Sequence, residues 1–174
     1  MTEFKGSSNY VVSSDLLRIV NISIALEKPL LIKGEPGTGK TQLAQAISEA
    51  LGKKLIIWNI KSTTKAQDGL YVYDTVQRLY DSQFGGEGVD DIKKYIKLGK
   101  LGEAFNADEQ VVLLIDEIDK ADEEFEAFLL ELLSDRQVSI PEVGTVRAKS
   151  VPFVVLTSNR ARPLSEALRR RCAY

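Results

Sequence analysis

Two short apolar runs, residues 29–33 and 54–60, frame a stretch in which Leu43, Ala44, Ile47, Ala50 and Leu51 recur at helical spacing. Apolar runs of this length predict buried strands; the first stops at Gly34 and the second is rich in isoleucine. Gly52 follows where a helix C-terminal cap belongs. Strand, helix and strand within about 30 residues make a βαβ unit, and with it a parallel sheet. Next, Tyr71, Thr75, Leu79 and Tyr80 predict a helix over residues 70–82, which the glycine-rich stretch 84–88 breaks. Residues 89–102 read as an insertion of short amphipathic character. Strand character returns at 111–115. A helix then opens at Asp122 and buries Phe125, Phe128, Leu129, Leu132 and Leu133. Residues 137–140 and 145–149 flank a turn-like 141–144 and predict a β-hairpin. A further buried strand over 152–156 ends at Thr157, Ser158 and Asn159, and a last helix covers 164–171. No internal repeat or low-complexity linker interrupts the series.

Composition narrows the field. A chain of 174 residues is one domain, spanning 1–174, with enough length to bury a core. Its 23 basic and 25 acidic side chains leave a formal charge of −2, which argues for neither a nucleic-acid coat nor an anionic membrane surface. No apolar run approaches the roughly 20 residues that span a bilayer, and residues 1–5 have no signal-peptide core. A single cysteine, Cys172, makes no internal disulfide, and a cytoplasmic location is expected. Histidine is absent, which excludes Ser-His-Asp triads and histidine metal ligation. Proton chemistry near neutral pH therefore falls to carboxylates and the water they position.

Gly34, Glu35, Pro36, Gly37, Thr38, Gly39, Lys40 and Thr41 satisfy G-x-x-x-x-G-K-[ST] between a strand and a helix. Such a loop turns backbone N–H groups toward phosphates, and the helix behind it adds the positive end of its dipole. Lys40 is expected to reach the β- and γ-phosphates of ATP and Thr41 to ligate Mg2+, with Gln42 completing the nucleotide contacts. The run 111–117 ends in paired acids, Asp116 and Glu117, at the carboxyl end of a strand, where ligands bind in parallel α/β sheets. Asp116 is expected to hold Mg2+ and Glu117 to orient or polarise the attacking water. The acids beyond them, Asp119, Asp122, Glu123 and Glu124, read as a solvated face. Asn159 would lie beside the pair if its strand is a neighbour, as a neutral amide for the water or the γ-phosphate. Arg169, Arg170 and Arg171 fit either of two roles: fingers reaching a neighbouring subunit's nucleotide, or surface charge facing the negative end of a helix dipole.

These elements, in this order and spacing, resemble the AAA+ ATPases over nearly the whole chain. The resemblance implies Walker A at Lys40 and Thr41, Walker B at Asp116 and Glu117, sensor 1 at Asn159, and an arginine finger in 168–172, with Arg171 preferred. Residues 28–41, 73–76 and 156–160, with the hairpin of 137–149, are similar to MoxR proteins. In that family Tyr10, Val11 and Val12 would contact adenine. The implied fold is α/β: a P-loop NTPase three-layer sandwich with a central parallel sheet. Family members follow the finger with a fifth strand and a helical lid. Residues 172–174 read as the start of that strand, so the expectation is an AAA+ large subdomain cut before or within it, without the lid, and slow in turnover. MoxR likeness further implies a homo-oligomeric ring, most often a hexamer, with a von Willebrand factor A-domain partner and a client metalloenzyme. Neither a membrane nor nucleic acid is an expected partner. The alternatives are a small-molecule kinase, a clamp-loader- or helicase-like ATPase using Arg147, Lys149, Arg160 and Arg162, and a nucleotide-gated binding module that does not hydrolyse.

Overall fold

A computed structural model describes residues 3–7, 10–140 and 144–173. The first helix, α1 (Ser14–Leu26), was not read from the sequence. Its signals are local: the Ser13 hydroxyl accepts the Leu16 N–H, and Leu16, Leu17, Val20 and Ile24 face one core. β1 (Leu30–Lys33), α2 (Lys40–Leu51) and β2 (Leu55–Asn59) then form the expected βαβ unit, with Gly52 as the left-handed cap of α2.

The middle of the chain departs from the sequence reading. The helix expected over 70–82 is present from Thr75 as α4 (Thr75–Phe84), ended by Gly85 within the glycine-rich stretch, but its expected first turn is instead β3 (Tyr71–Tyr73), preceded by α3 (Ala66–Leu70). Tyr71, Val72 and Tyr73 favour extended backbone and pair antiparallel with β4 (Ile96–Leu98), which follows a 3-10 turn at Ile92–Tyr95. The Asp74 carboxylate accepts the Gln77 N–H and starts α4 afresh. The expected 89–102 insertion ends in a helix that was not anticipated, α5 (Lys100–Asn106), which buries Leu101, Ala104 and Phe105. Gly102 lets α5 close on α3, since a Cβ there would stand 2.2 Å from the Leu70 carbonyl oxygen.

The second half follows expectation more closely. β5 (Val112–Asp116) leads through a 3-10 turn at Ile118–Lys120 into α6 (Glu123–Asp135), capped by Asp122 as read. Phe125, Leu129 and Leu132 of α6 are buried, while Phe128 and Leu133 are half-buried. β6 (Gln137–Ile140) and β7 (Gly144–Arg147) pair antiparallel as a hairpin, whose turn lies outside the described residues. β8 (Phe153–Ser158) and α7 (Glu166–Arg171) complete the series.

The main sheet runs β1-β8-β5-β2, and every pairing is parallel. Alternate residues of its strands feed two cores. Leu113, Ile115, Val154 and Leu156 pack under α3, α5, α6 and α7, where the Trp58 and Phe125 rings lie 5.3 Å apart. Val112, Leu114 and Val155 pack under α1 and α2. The result is the three-layer α/β sandwich of the P-loop NTPases, and no helical lid stands among the described residues. On the free edge of β1, Ala173 forms a parallel bridge with Leu30 and exchanges backbone bonds with Pro29 and Leu31, both 2.8 Å. The residues expected to open a fifth strand thus lie on that edge; Tyr174 is outside the described residues. No helix among the described residues is long and apolar enough to cross a membrane.

Cys172 closes α7 against the core, and burial pushes its thiol up to about 12. In the unfolded chain it ionises near its ordinary value of 9.0, so stability conferred by this thiol is lost as pH rises from that value toward 12. Near pH 8, iodoacetamide should label native Cys172 at least about a hundredfold more slowly than the urea-unfolded chain. Equal rates would disprove the burial.

Candidate functional site

The glycine-rich loop leaves β1 with the Gly34 N–H bonded to the Ser158 carbonyl at 3.1 Å, which ties its start to the end of β8. The turn into α2 places Gly39 at φ 82°, a left-handed conformation that favours glycine, with the Tyr10 ring 3.4 Å from where a Cβ would stand. Gly39 caps α2 with no side-chain bond, so the first-turn amides have no side-chain acceptor. Lys40 is 9% exposed. Its ammonium donates to the carbonyls of Gly34 (3.0 Å) and Glu35 (2.7 Å) and to Thr38 Oγ1 (3.4 Å).

Opposite the loop, β5 delivers Asp116 and then Glu117, whose backbone takes the left-handed φ of 60°. Thr157 of β8, fully buried, touches both: its hydroxyl donates to Asp116 Oδ1 and accepts the Glu117 N–H at 2.8 Å. Asn159 Nδ2 donates to Glu117 Oε1 at 2.8 Å, and Lys120 Nζ lies 2.5 Å from Glu117 Oε2. The bond to Glu117 is the main reason the Lys120 ammonium is held above its ordinary pKa. β5 and β8 are neighbours, the condition on which the Asn159 expectation rested.

A cleft of about 310 Å³ separates the two sides. Pro36, Gly37, Gly39, Lys40, Thr41 and Gln42 line one wall; Asp116, Glu117 and Asn159 line the other. Gly34, Glu35 and Thr38 of the same loop are the acceptors that hold Lys40. Thr157, Lys120 and Asp119 were not read as site residues. Asp119, grouped with the solvated acids, is 4% exposed, because its carboxylate accepts the backbone N–H groups of Asn159 and Ala161. Asp122, Glu123 and Glu124 are exposed as expected.

Other residues fall away from the cleft. Arg171 and Arg170 are exposed, Arg170 pairing with Glu166 at 2.5 Å, and Arg169 is half-buried. Val11 is fully exposed and Val12 packs against the α1–α2 core, whereas it is the Tyr10 ring that adjoins the loop. Among the described residues no group of three or more Asp, Glu, His or Cys side chains could hold a metal unaided. A hydroxyl, a carboxylate, a lysine and free helix amides around one cleft instead suit a triphosphate and a hard cation held together, each completing the other's shell.

The sequence profile of the AAA domain (dynein-related subfamily) matches residues 29–172. Midasin of Giardia intestinalis is 44% identical over 80 residues, 42% of this chain and 2% of that protein. Chaperone protein ClpB of Chlamydia trachomatis is 30% identical over 153 residues, 84% of this chain and 16% of that protein. Among solved structures, a putative ATPase from Cytophaga hutchinsonii superimposes with a TM-score of 0.62 at 20% identity, over 93% of this chain and 45% of that one. Thermotoga maritima RuvB gives 0.55 at 17%, over 94% and 44%. At these identities the structural likeness is one of fold, and the chain spans less than half of each of these proteins. With the profile running from the start of the sheet to the end of α7, the chain belongs to the AAA domain family, dynein-related subfamily, and is an AAA+ ATPase domain.

Proposed function

We propose that this domain binds Mg-ATP in the cleft between the 34–41 loop and the acids of β5, and hydrolyses it to ADP and phosphate. The observation that carries the reading is the Asn159–Glu117 bond of 2.8 Å, which sets an amide and a carboxylate from separate strands on the wall facing Lys40. Phosphates would take the free amides of the α2 N-terminus. Lys40, now satisfied by loop carbonyls, would exchange them for phosphate oxygens. Thr41 and Asp116 would hold Mg2+, which when bound draws charge from the phosphate oxygens. Glu117 accepts a hydrogen bond from the attacking water. The water's oxygen forms the new bond to the γ-phosphorus as the bond to the bridging oxygen breaks. Each Glu117 oxygen holds one partner here, Asn159 on Oε1 and Lys120 on Oε2, and keeps a second lone pair with which to accept from the water.

The exposed Arg171, with Arg170 and Arg169 beside it, would act on the nucleotide of an adjacent subunit in a homo-oligomeric ring, by preference a hexamer. The paired β6–β7 hairpin supports the MoxR-type reading, with a von Willebrand factor A-domain partner and a client metalloenzyme, in the cytoplasm. The chaperone name of a relative aligned over most of the chain favours work on proteins. Nucleic acid is disfavoured because two cations of the suggested patch are engaged: Lys149 pairs with Asp108 and Arg162 with Glu126.

Glu117→Gln should keep ATP binding, read with a fluorescent nucleotide, and slow turnover by about a hundredfold or more. Lys40→Ala should lose both, and normal hydrolysis by Glu117→Gln would end the proposal. Thr157→Val leaves the Glu117 N–H without its acceptor and should lower unfolding stability by about 1–3 kcal/mol in urea titrations. An unchanged midpoint would remove Thr157 from the account.

A further inference from the structure

Asp119 is a nearly fully buried carboxylate to which the hydrolytic scheme gives no task. It occupies the 3-10 turn directly after Glu117. Its two oxygens reach across to the loop that follows β8: Oδ1 accepts the Asn159 N–H at 3.2 Å and Oδ2 the Ala161 N–H at 2.9 Å. Between these amides Arg160 is held at φ 62°, a left-handed conformation costly for a side chain with a Cβ, and the two flanking N–H groups meet on one carboxylate. The Asp119 carbonyl accepts Arg162 Nε at 3.2 Å, and the other arm of Arg162 donates to the Ala121 carbonyl at 2.5 Å. The loop bearing Asn159 is thus fastened at successive points to the turn bearing Glu117.

Backbone N–H groups bonded to a carboxylate make some of the stronger hydrogen bonds in proteins. Asn159 has a short side chain, so its reach to Glu117 depends on where its backbone stands. We propose that Asp119 is a positioning residue of this site: by gathering the amides of Asn159 and Ala161 it sets the backbone from which Asn159 holds Glu117. The consequence for turnover rests on the hydrolytic reading above; the geometric claim does not. A left-handed Arg160 with no carboxylate beneath it would relax and carry the Asn159 amide off Glu117. Misplacements of this kind slow chemistry without loosening substrate.

Two readouts test this on the whole chain. In the first, Asp119→Asn keeps the size of the side chain but sets an NH2 against one of the two N–H donors. It should lower kcat about tenfold with KM changed less than about twofold. In an Asn159→Ala background the same substitution should cost nothing further. Equal costs in both backgrounds would show that Asp119 acts on the fold at large, and would overturn the proposal. The second readout needs no turnover. The Asn159 side-chain NH2 resonance, assigned by its loss in Asn159→Ala, should shift in Glu117→Ala, and Asp119→Asn should move it the same way. A resonance indifferent to Asp119 overturns the proposal. If Asp119→Asn does not fold, hydrogen exchange in the wild type decides: protected Asn159 and Ala161 amides uphold the clamp, and freely exchanging ones overturn it. A wild type that never hydrolyses ATP, with the resonance moved as stated, upholds Asp119's positioning and sinks the hydrolytic reading alone.

Discussion

The pairing of β5 with β8 determines which side chains can meet at the mouth of the sheet. Its register sets Val112 beside Phe153 and Ile115 beside Leu156, so that Asp116 and Glu117 emerge level with Thr157 and Asn159. Both strands are apolar on both faces, and an all-apolar strand carries no alternation to oppose a slip. Thr157 supplies what the pattern lacks. Its hydroxyl is fully buried, and a buried hydroxyl without partners costs free energy; in this register it has the Asp116 carboxylate and the Glu117 amide. A shift by one residue would leave that hydroxyl unmatched and turn Thr157 to the other core. The group that aligns the acid pair also penalises the nearest wrong pairing.

What could be read ahead of the structure follows from how far each signal acts. The four strands of the main sheet were legible because burial on both faces demands unbroken apolar runs, and α2 and α6 because one face of each is apolar and their ends are marked by Gly52 and Asp122. The segment between β2 and β5 was not. Val76, Leu79, Tyr80 and Phe84 repeat at helical spacing, yet all four are exposed, so the periodicity there reports no core. Tyr71–Tyr73 was absorbed into that helix, although β-favouring residues before a capping Asp74 point to a strand and a new start. α5 is illegible without its neighbours, since Leu101 and Phe105 are a short apolar pair until α3 closes on them, whereas α1 carries a local signal in the Ser13 cap.

At the site the division is sharper. The sequence motifs name groups that face the cleft: Lys40 and Thr41 on one wall, Asp116, Glu117 and Asn159 on the other. They are silent on the residues that hold those groups, because such residues act through geometry. Asp119 and Asp122 lie three residues apart in one acidic run, but one is buried on two amides and the other is an exposed helix cap. Composition assigns them the same character; the crossing of the 159–162 loop beneath the 118–120 turn distinguishes them. Lys40 makes the same point from the other side, since its bonds to the Gly34 and Glu35 carbonyls belong to the folded loop and to no motif.

The loop after β8 also bears on α7. Arg162, bonded to the Asp119 and Ala121 carbonyls, lies 3.5 Å from the nearly fully buried Glu126, and the other Glu126 oxygen accepts the Ser165 N–H at the start of α7. A buried carboxylate is tolerable only with such partners, so removing Arg162 would leave a charge inside α6 with little to answer it. The chain from Asn159 to Ser165 is therefore pinned at both ends, to the turn behind Glu117 and to α6. Leu168 and Cys172 anchor the far side of α7 in the core. Arg170 and Arg171 are exposed at the end of this short helix. Two buried acids thus fasten this stretch, Asp119 at the Asn159 and Ala161 amides and Glu126 at the Ser165 amide from which α7 starts.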